Sequence, residues 1–128
     1  MMDSFAVKTR KKTEIVNITA EVERLTGISE GAVLVHIPHT TAGLILNEDE
    51  ANLKGDMEIF YGGLADGKWA HNTIDNNAEA HLAAGTLNSS LIIPVSGGKP
   101  VLGTWQSILL VELDGPRDRK VYVRGLNG

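Results

Sequence analysis

The chain has 128 residues, 42% of them hydrophobic and 22% charged, with a formal net charge of -4 and no cysteine. That length suits one domain, 1–128, able to bury about 70% of its unfolded surface. The acidic balance argues against a nucleic-acid partner, which would need clustered Lys and Arg, and the absence of cysteine excludes disulfides and thiolate chemistry. No apolar run approaches the ~18 residues of a membrane span, and no charged-then-apolar leader opens the chain, so a cytoplasmic protein is expected.

Phe5, Val7 and Thr9 alternate with charged neighbours over Ser4 to Thr13, the period of a half-exposed strand, and Glu14 to Ile18 continues it or starts a second. The basic run Lys8 to Lys12 reads as a solvated strand edge. Thr19 is placed to cap a short helix, Ala20 to Thr26, ended by Gly27. Ala32 to Ile37 is apolar on both parities, as a central strand covered on both faces would be, with His36 as a packed, hydrogen-bonded core residue. Pro38 ends that ladder and delivers His39, Thr40 and Thr41 beyond it. Gly43 to Asn47 reads as the next strand. From Glu48 to Tyr61 the spacing is helical, with acidic residues in the first turn and Gly62-Gly63 at the end.

Leu64 to Ala70 is a loop carrying Trp69. The segment His71 to Leu82 then reads H-N-T-I-D-N-N-A-E-A-H-L, with two of the four histidines, an Asp, a Glu and three Asn. A helix is predicted from Asn76 to Ala84, stopped by Gly85. Asp75 serves either as its N-cap or as a partner that orients a histidine N–H. On that helix Asn77 and His81 share a face, and Glu79 points to solvent. His39, His71 and His81 come from three elements and could close on one divalent ion of the Zn²⁺, Mn²⁺, Co²⁺ or Ni²⁺ kind, although no local metal-ligand spacing is present.

The rest reads as strand: Leu91 to Val95, a turn at Ser96 to Pro100, a long strand Val101 to Leu113, a turn at Asp114 to Arg117, and an alternating segment Arg119 to Arg124. Gly97-Gly98-Lys99 lacks phosphate-loop spacing and is read as a hairpin turn. In the long strand, Trp105 and Gln106 fall on opposite faces, with Trp105 in the core. Glu112, Asp114, Arg117 and Arg119 make an ion-paired turn, or else Arg117 turns its fork to a phosphate or carboxylate in the histidine site. The predicted class is α+β, with mainly antiparallel, sandwich-like β-sheets and about three short helices.

Pro38-His39-Thr40-Thr41-Ala42, Asn47-Glu48, His71-Asn72, Asp75 through Asn77-Ala78 to His81-Leu82, Gly103-Thr104-Trp105-Gln106 and Glu112-x-Asp114-Gly115-Pro116-Arg117-x-Arg119 together resemble the ordered motifs of the YjbQ family, from about Val7 to Val123. The resemblance implies a homotrimer with sheets around the threefold axis. It also implies a secondary thiamine-phosphate synthase activity that joins a pyrimidine-methyl diphosphate to a thiazole phosphate, and metal ligands at His39, His71 and His81. On the reading as a metal-dependent enzyme, Asp75 and Asn77 orient ligands or substrate. Thr40, Thr41, Gln106 and Arg117 contact a small phosphorylated substrate, and Glu112 and Asp75 join Arg117 in catalysis, Glu112 as general base. Zn²⁺ is the first expectation for the ion, with Mn²⁺, Co²⁺, Ni²⁺ or Mg²⁺ behind it, and no organic cofactor. Because nitrogen donors prefer softer ions than the Mg²⁺ that usually assists diphosphate departure, thiamine-phosphate synthesis is expected to be a side activity. The alternative is a trimeric protein that binds a phosphorylated metabolite without turning it over.

Overall fold

Eight strands and three helices follow one another in the computed structural model, which describes residues 2–127. Strands β1 (Asp3–Lys8), β8 (Asp118–Leu126), β3 (Glu30–His36), β5 (Ser90–Ser96) and β6 (Lys99–Pro100) form one sheet in that order. Strands β2 (Glu14–Asn17), β7 (Ser107–Glu112) and β4 (Ala42–Asn47) form a second. Every pairing is antiparallel. The helices are α1 (Thr19–Leu25), α2 (Ala51–Gly63) and α3 (Ala78–Ala84), with a 3-10 turn at Ala70–Thr73. The predicted α+β class with antiparallel sheets and three short helices is what folds.

Two apolar cores explain the layering. Val33, Val35, Ile93, Val121 and Val123 of the large sheet meet Leu44, Ile108 and Leu110 of the small one. On the other side of the small sheet, Leu109 and Val111 meet Met57 of α2 and Ala80 and Ala83 of α3. Successive residues of β7 therefore point into different cores, and residues 108–112 are all buried. The strand covered on both faces is thus β7. The expectation for β3 holds on one face only: Val33 and Val35 are buried, whereas Ala32, Leu34 and His36 are half-open, with Ile92 opposite Leu34 exposed. His36 is accordingly half-buried, and its Nδ1 hydrogen-bonds Ser90 Oγ at 2.6 Å.

Among the boundaries that differ from the sequence reading, three have a clear local reason. β7 starts only at Ser107, because Gly103 to Gln106 close a turn: Gln106 N donates to Gly103 O and Gln106 Oε1 accepts from Gly103 N at 2.8 Å. Trp105 stands on that turn 72% exposed, outside the core. α2 begins at Ala51, and Glu50 is its N-cap, accepting from the backbone of Asn52 and Leu53. The acidic residues therefore precede the helix. α3 begins two residues later than expected: Asp75 accepts only from the neighbouring Asn76 N, and the Ala78 N–H is capped by Asn72 Oδ1 at 3.0 Å.

Candidate functional site

The turn between β7 and β8 carries the chain from one sheet to the other, and its charged residues divide accordingly. Glu112 is fully buried. Its carboxylate pairs with Arg119 through Nε and Nη2 and accepts from Thr9 Oγ1 and from the backbone of Leu113 and Asp114. Burial works to raise its pKa, but the Arg119, backbone and Thr9 donors outweigh that and hold it below the usual carboxylate range. A group so saturated and so enclosed has no free lone pair or path to a substrate, so the general-base role expected of Glu112 is corrected to a structural one. Thr41 goes with it: its hydroxyl and carbonyl accept from Arg119 Nη2 at 2.9 and 3.1 Å, and it is buried rather than open to a ligand.

Asp114 and Arg117 point the other way. Gly115 lets this turn press on the segment before β2, since a Cβ there would sit 2.2 Å from Lys11 O. That contact brings Lys12 Nζ to Asp114 Oδ1 at 2.9 Å, while Arg117 Nη2 reaches Asp114 Oδ2 at 2.9 Å. Asn77 Nδ2 donates to the same Oδ2 at 2.9 Å. Asn77 Oδ1 lies 2.8 Å from His71 Nε2. Thus Arg117 and Lys12, Asp114, Asn77 and His71 form one continuous hydrogen-bonded relay. Burial pushes the Asp114 carboxyl up, yet the Asn77, Lys12 and Arg117 donors bring it down to about 2.

The relay has a direction. An ionised Asp114 can only accept, so Asn77 must turn its NH₂ to Asp114 and its carbonyl to His71. His71 must then donate from Nε2, which leaves Nδ1 as the nitrogen with a free lone pair. His81 stands beside it, ring centroids 4.9 Å apart and edge-to-face at 75°. The helical spacing that puts Asn77 and His81 on one face of α3 thus assembles the pair, as the sequence indicated.

His39 sits differently. Its Nε2 accepts from the Lys120 backbone N–H at 2.9 Å, so when neutral its proton is on Nδ1. Burial and the nearby Arg119 charge lower its pKa, favouring that neutral form. His39 and Thr40 face His81 and Ser89 across a cleft of about 340 Å³. A second cleft, of about 350 Å³, also reaches His81 and lies between Trp69, His71 and Leu82. Among the described residues, no three His, Asp or Glu side chains converge as a ready metal set. The donors suit a nitrogen-preferring ion in kind, with two imidazoles adjacent and one oriented by a carboxamide and carboxylate behind it. As placed, His39 offers a hydrogen from Nδ1 rather than a lone pair, and its expected role as a third ligand is revised to that of donor.

Asp75 is an exposed loop residue that touches neither imidazole by hydrogen bond, and the orienting role considered for it falls to Asn77. Asn77 itself is buried behind His71 and does not face the clefts as a substrate contact would. Glu79 is half-buried and accepts from Asn72 Nδ2 at 3.0 Å rather than pointing freely to solvent. Gln106 lies just before the start of β7, about 20 Å from Glu112 along the strand direction, and within this chain does not join the site. The sequence reading names Asp114, Lys12 and Trp69 but gives none of them a part in the site. Asp114 was visible as part of the motif running from Glu112 to Arg119, but its partner Asn77 is 37 residues away, and nothing local signals such a pairing.

The family model described as UPF0047 protein YjbQ-like matches residues 3–128. A UPF0047 protein of Archaeoglobus fulgidus is 48% identical, covering 94% of this chain and 97% of its own. The UPF0047 protein YugU of Bacillus subtilis is 37% identical over 97% and 98%. Among solved structures, a hypothetical protein from Aeropyrum pernix K1 superposes with a TM-score of 0.95 at 41% identity, covering 100% and 99% of the two chains. An uncharacterised protein from Clostridium acetobutylicum superposes with a TM-score of 0.88 at 35% identity, covering 94% and 97%. With its fold, its ordered motifs and these matches in agreement over nearly its whole length, the chain belongs to the YjbQ/UPF0047 family.

Proposed function

We propose that the chain is a metal-dependent enzyme acting on a small phosphorylated substrate, with thiamine-phosphate synthase-like transfer as a secondary activity. The observation that carries this reading is the Arg117–Asp114–Asn77–His71 relay, which orients a free His71 Nδ1 beside His81 at the junction of two clefts. An imidazole held by a carboxamide and a carboxylate behind it has the arrangement typical of metal-ligating histidines. His71 and His81 would hold the ion, which when bound would act as a Lewis acid on an oxygen of the substrate or of water. His39 Nδ1–H and the Thr40 hydroxyl then hydrogen-bond the substrate's anionic group from across the cleft, and Arg117, half-exposed at the outer end of the relay, adds positive charge. Two protein ligands fall one short of the usual catalytic zinc set, so the ion is expected to bind more weakly than a three-histidine site would hold it.

The half-open apolar face bearing Leu34 and Ile92 supports a homotrimer in which the large sheets face one another, measurable by light scattering. No helix of the described residues is long and apolar enough to cross a membrane, and a cytoplasmic location is part of the proposal. The test is product formation from phosphorylated substrates, the pyrimidine-methyl diphosphate and thiazole phosphate pair included, after reloading with Zn²⁺, Mn²⁺, Co²⁺, Ni²⁺ or Mg²⁺. Metal-dependent product that disappears in His81→Ala supports the reading. Saturable phosphate-ligand binding without product under any metal would replace it with a binding protein.

A further inference from the structure

The two clefts flanking His81 differ in character. The one shared with His39 is mixed, setting Thr40 and Ser89 among Ala42, Ala84 and Gly85. The other is walled by Trp69, Ala70, Ala78 and Leu82, and apart from the imidazoles of His71 and His81 it offers a ligand only hydrocarbon and indole surface. Trp69 and Leu82 are 40% and 45% exposed, a combination that leaves large apolar side chains facing water around an open space.

Trp69 is also fixed in place. Its Nε1 donates to Ala65 O at 2.7 Å, and its ring lies so close to Gly67 that a Cβ there would come within 2.9 Å of two ring carbons. A loop tryptophan ordinarily swings free or folds into the core, whereas this one is pinned by its polar edge and one contact, leaving the cleft wall formed in advance. A wall that needs no further ordering is what an aromatic subsite requires. On the opposite side, Leu82 follows His81 directly on α3, and the small Ala78 leaves the floor open.

Resting on the reading that the site binds a small phosphorylated compound, we propose that the compound carries an uncharged hydrocarbon ring. The ring lies in the Trp69–Leu82 cleft, with the phosphate toward His81 and His39. A ring edge bearing nitrogens and amino groups would lose its hydration in this cleft with no protein group but the two imidazoles to replace it. An aminopyrimidine is therefore a poorer occupant than a benzene ring, which fits thiamine-phosphate synthesis being secondary.

Calorimetric titration of the metal-loaded protein with inorganic phosphate, benzyl phosphate and an aminopyrimidinylmethyl phosphate separates the two readings. Benzyl phosphate is expected to bind at least about tenfold tighter than inorganic phosphate, from the apolar area its ring buries, and tighter than the aminopyrimidine compound. Leu82→Ser should bring benzyl phosphate to within about twofold of inorganic phosphate, which itself is unaffected. This variant changes an exposed residue, and its fold is checked by its thermal midpoint. In a Trp105→Phe background, benzyl phosphate should perturb the fluorescence of Trp69, the remaining tryptophan. Equal affinity for benzyl and inorganic phosphate, or preference for the aminopyrimidine, would overturn the apolar subsite while leaving the phosphate site intact. No binding of any phosphate would overturn both.

Discussion

The two halves of the Glu112-to-Arg119 turn make opposite uses of the same kinds of side chain. Glu112 and Arg119 are sealed between the sheets, and the side chains themselves are 0% and 4% exposed. Asp114 and Arg117 are a second acid and base from the same turn, their side chains 11% and 50% exposed, and they lead through Asn77 to His71. In the inner pair the Glu112 carboxylate has its lone pairs taken up by Thr9, Arg119 and the backbone of Leu113 and Asp114, and Arg119 is tied to Glu112 and Thr41 through Nε and Nη2, so the pair holds the sheets together. The outer pair ends in an imidazole with one nitrogen free. Charge and proximity in sequence do not separate scaffold from site here; whether the chain of hydrogen bonds closes on itself or ends at solvent does.

The largest effect should come from breaking the inner pair. Arg119→Met leaves a buried carboxylate without its counter-ion and should cost about 3–5 kcal/mol in denaturant unfolding. Adding Glu112→Leu should not restore wild-type stability, because Thr9 and the backbone N–H groups of Leu113 and Asp114 would then lose their acceptor. Full recovery in the double variant would show that the pair is dispensable.

Asn77→Ala tests the outer relay and should cost about 1–3 kcal/mol by leaving polar groups unpaired. It should also release the His71 tautomer, read as movement of its ring ¹⁵N shifts away from the Nε2–H pattern, while Arg119→Met leaves that pattern alone. Smaller again is the acid response. Asp114 is about 2 in the folded protein against 3.8 for the free group. A depressed carboxylate stabilises the fold fully above its unfolded value and loses that contribution as pH falls through the folded one. Asp114→Asn should therefore lack the share of acid destabilisation that the parent shows between about pH 4 and pH 2. An identical pH profile for the two would contradict the relay. Arg117→Ala, at an exposed ion pair, should change stability by only about 0–1 kcal/mol yet weaken phosphate binding by about tenfold or more. A stability loss as large as that of Arg119→Met would erase the contrast between the two pairs.

Most of the architecture was legible because it rests on local pattern. Strand alternation in Phe5 and Val7, a strand in the apolar run Ala32 to Ile37, and a helix in the alanine-rich stretch after Asn77 all form, although the strand in the Ala32 to Ile37 run is covered on one face only. The errors came where two patterns look alike in one dimension. A strand buried on both faces and a strand whose second face is half-open show the same apolar run, so the sequence alone does not tell β3 from β7. Val101 to Gln106 carries strand-like residues, but Gln106 caps Gly103 and turns the chain. At the site, the i, i+4 rule found Asn77 and His81, while Asp75 at the expected cap position lost to Asn72, six residues upstream of Ala78. The division of Glu112 from Asp114 could not be read at all, since it depends on which sheet each side of the turn enters.

The measurement that reaches the central claim most directly is elemental analysis of untagged protein purified without chelator, alongside His71→Ala, His81→Ala and His39→Ala. The account expects about one Zn, Mn, Co or Ni per chain, lost in the first two variants and kept in the third, where His39 contacts substrate rather than ion. Absence of metal from the parent even after reloading, or metal that survives loss of His71 and His81, would contradict it, and metal lost with His39 would restore the three-histidine set in place of the two-ligand site.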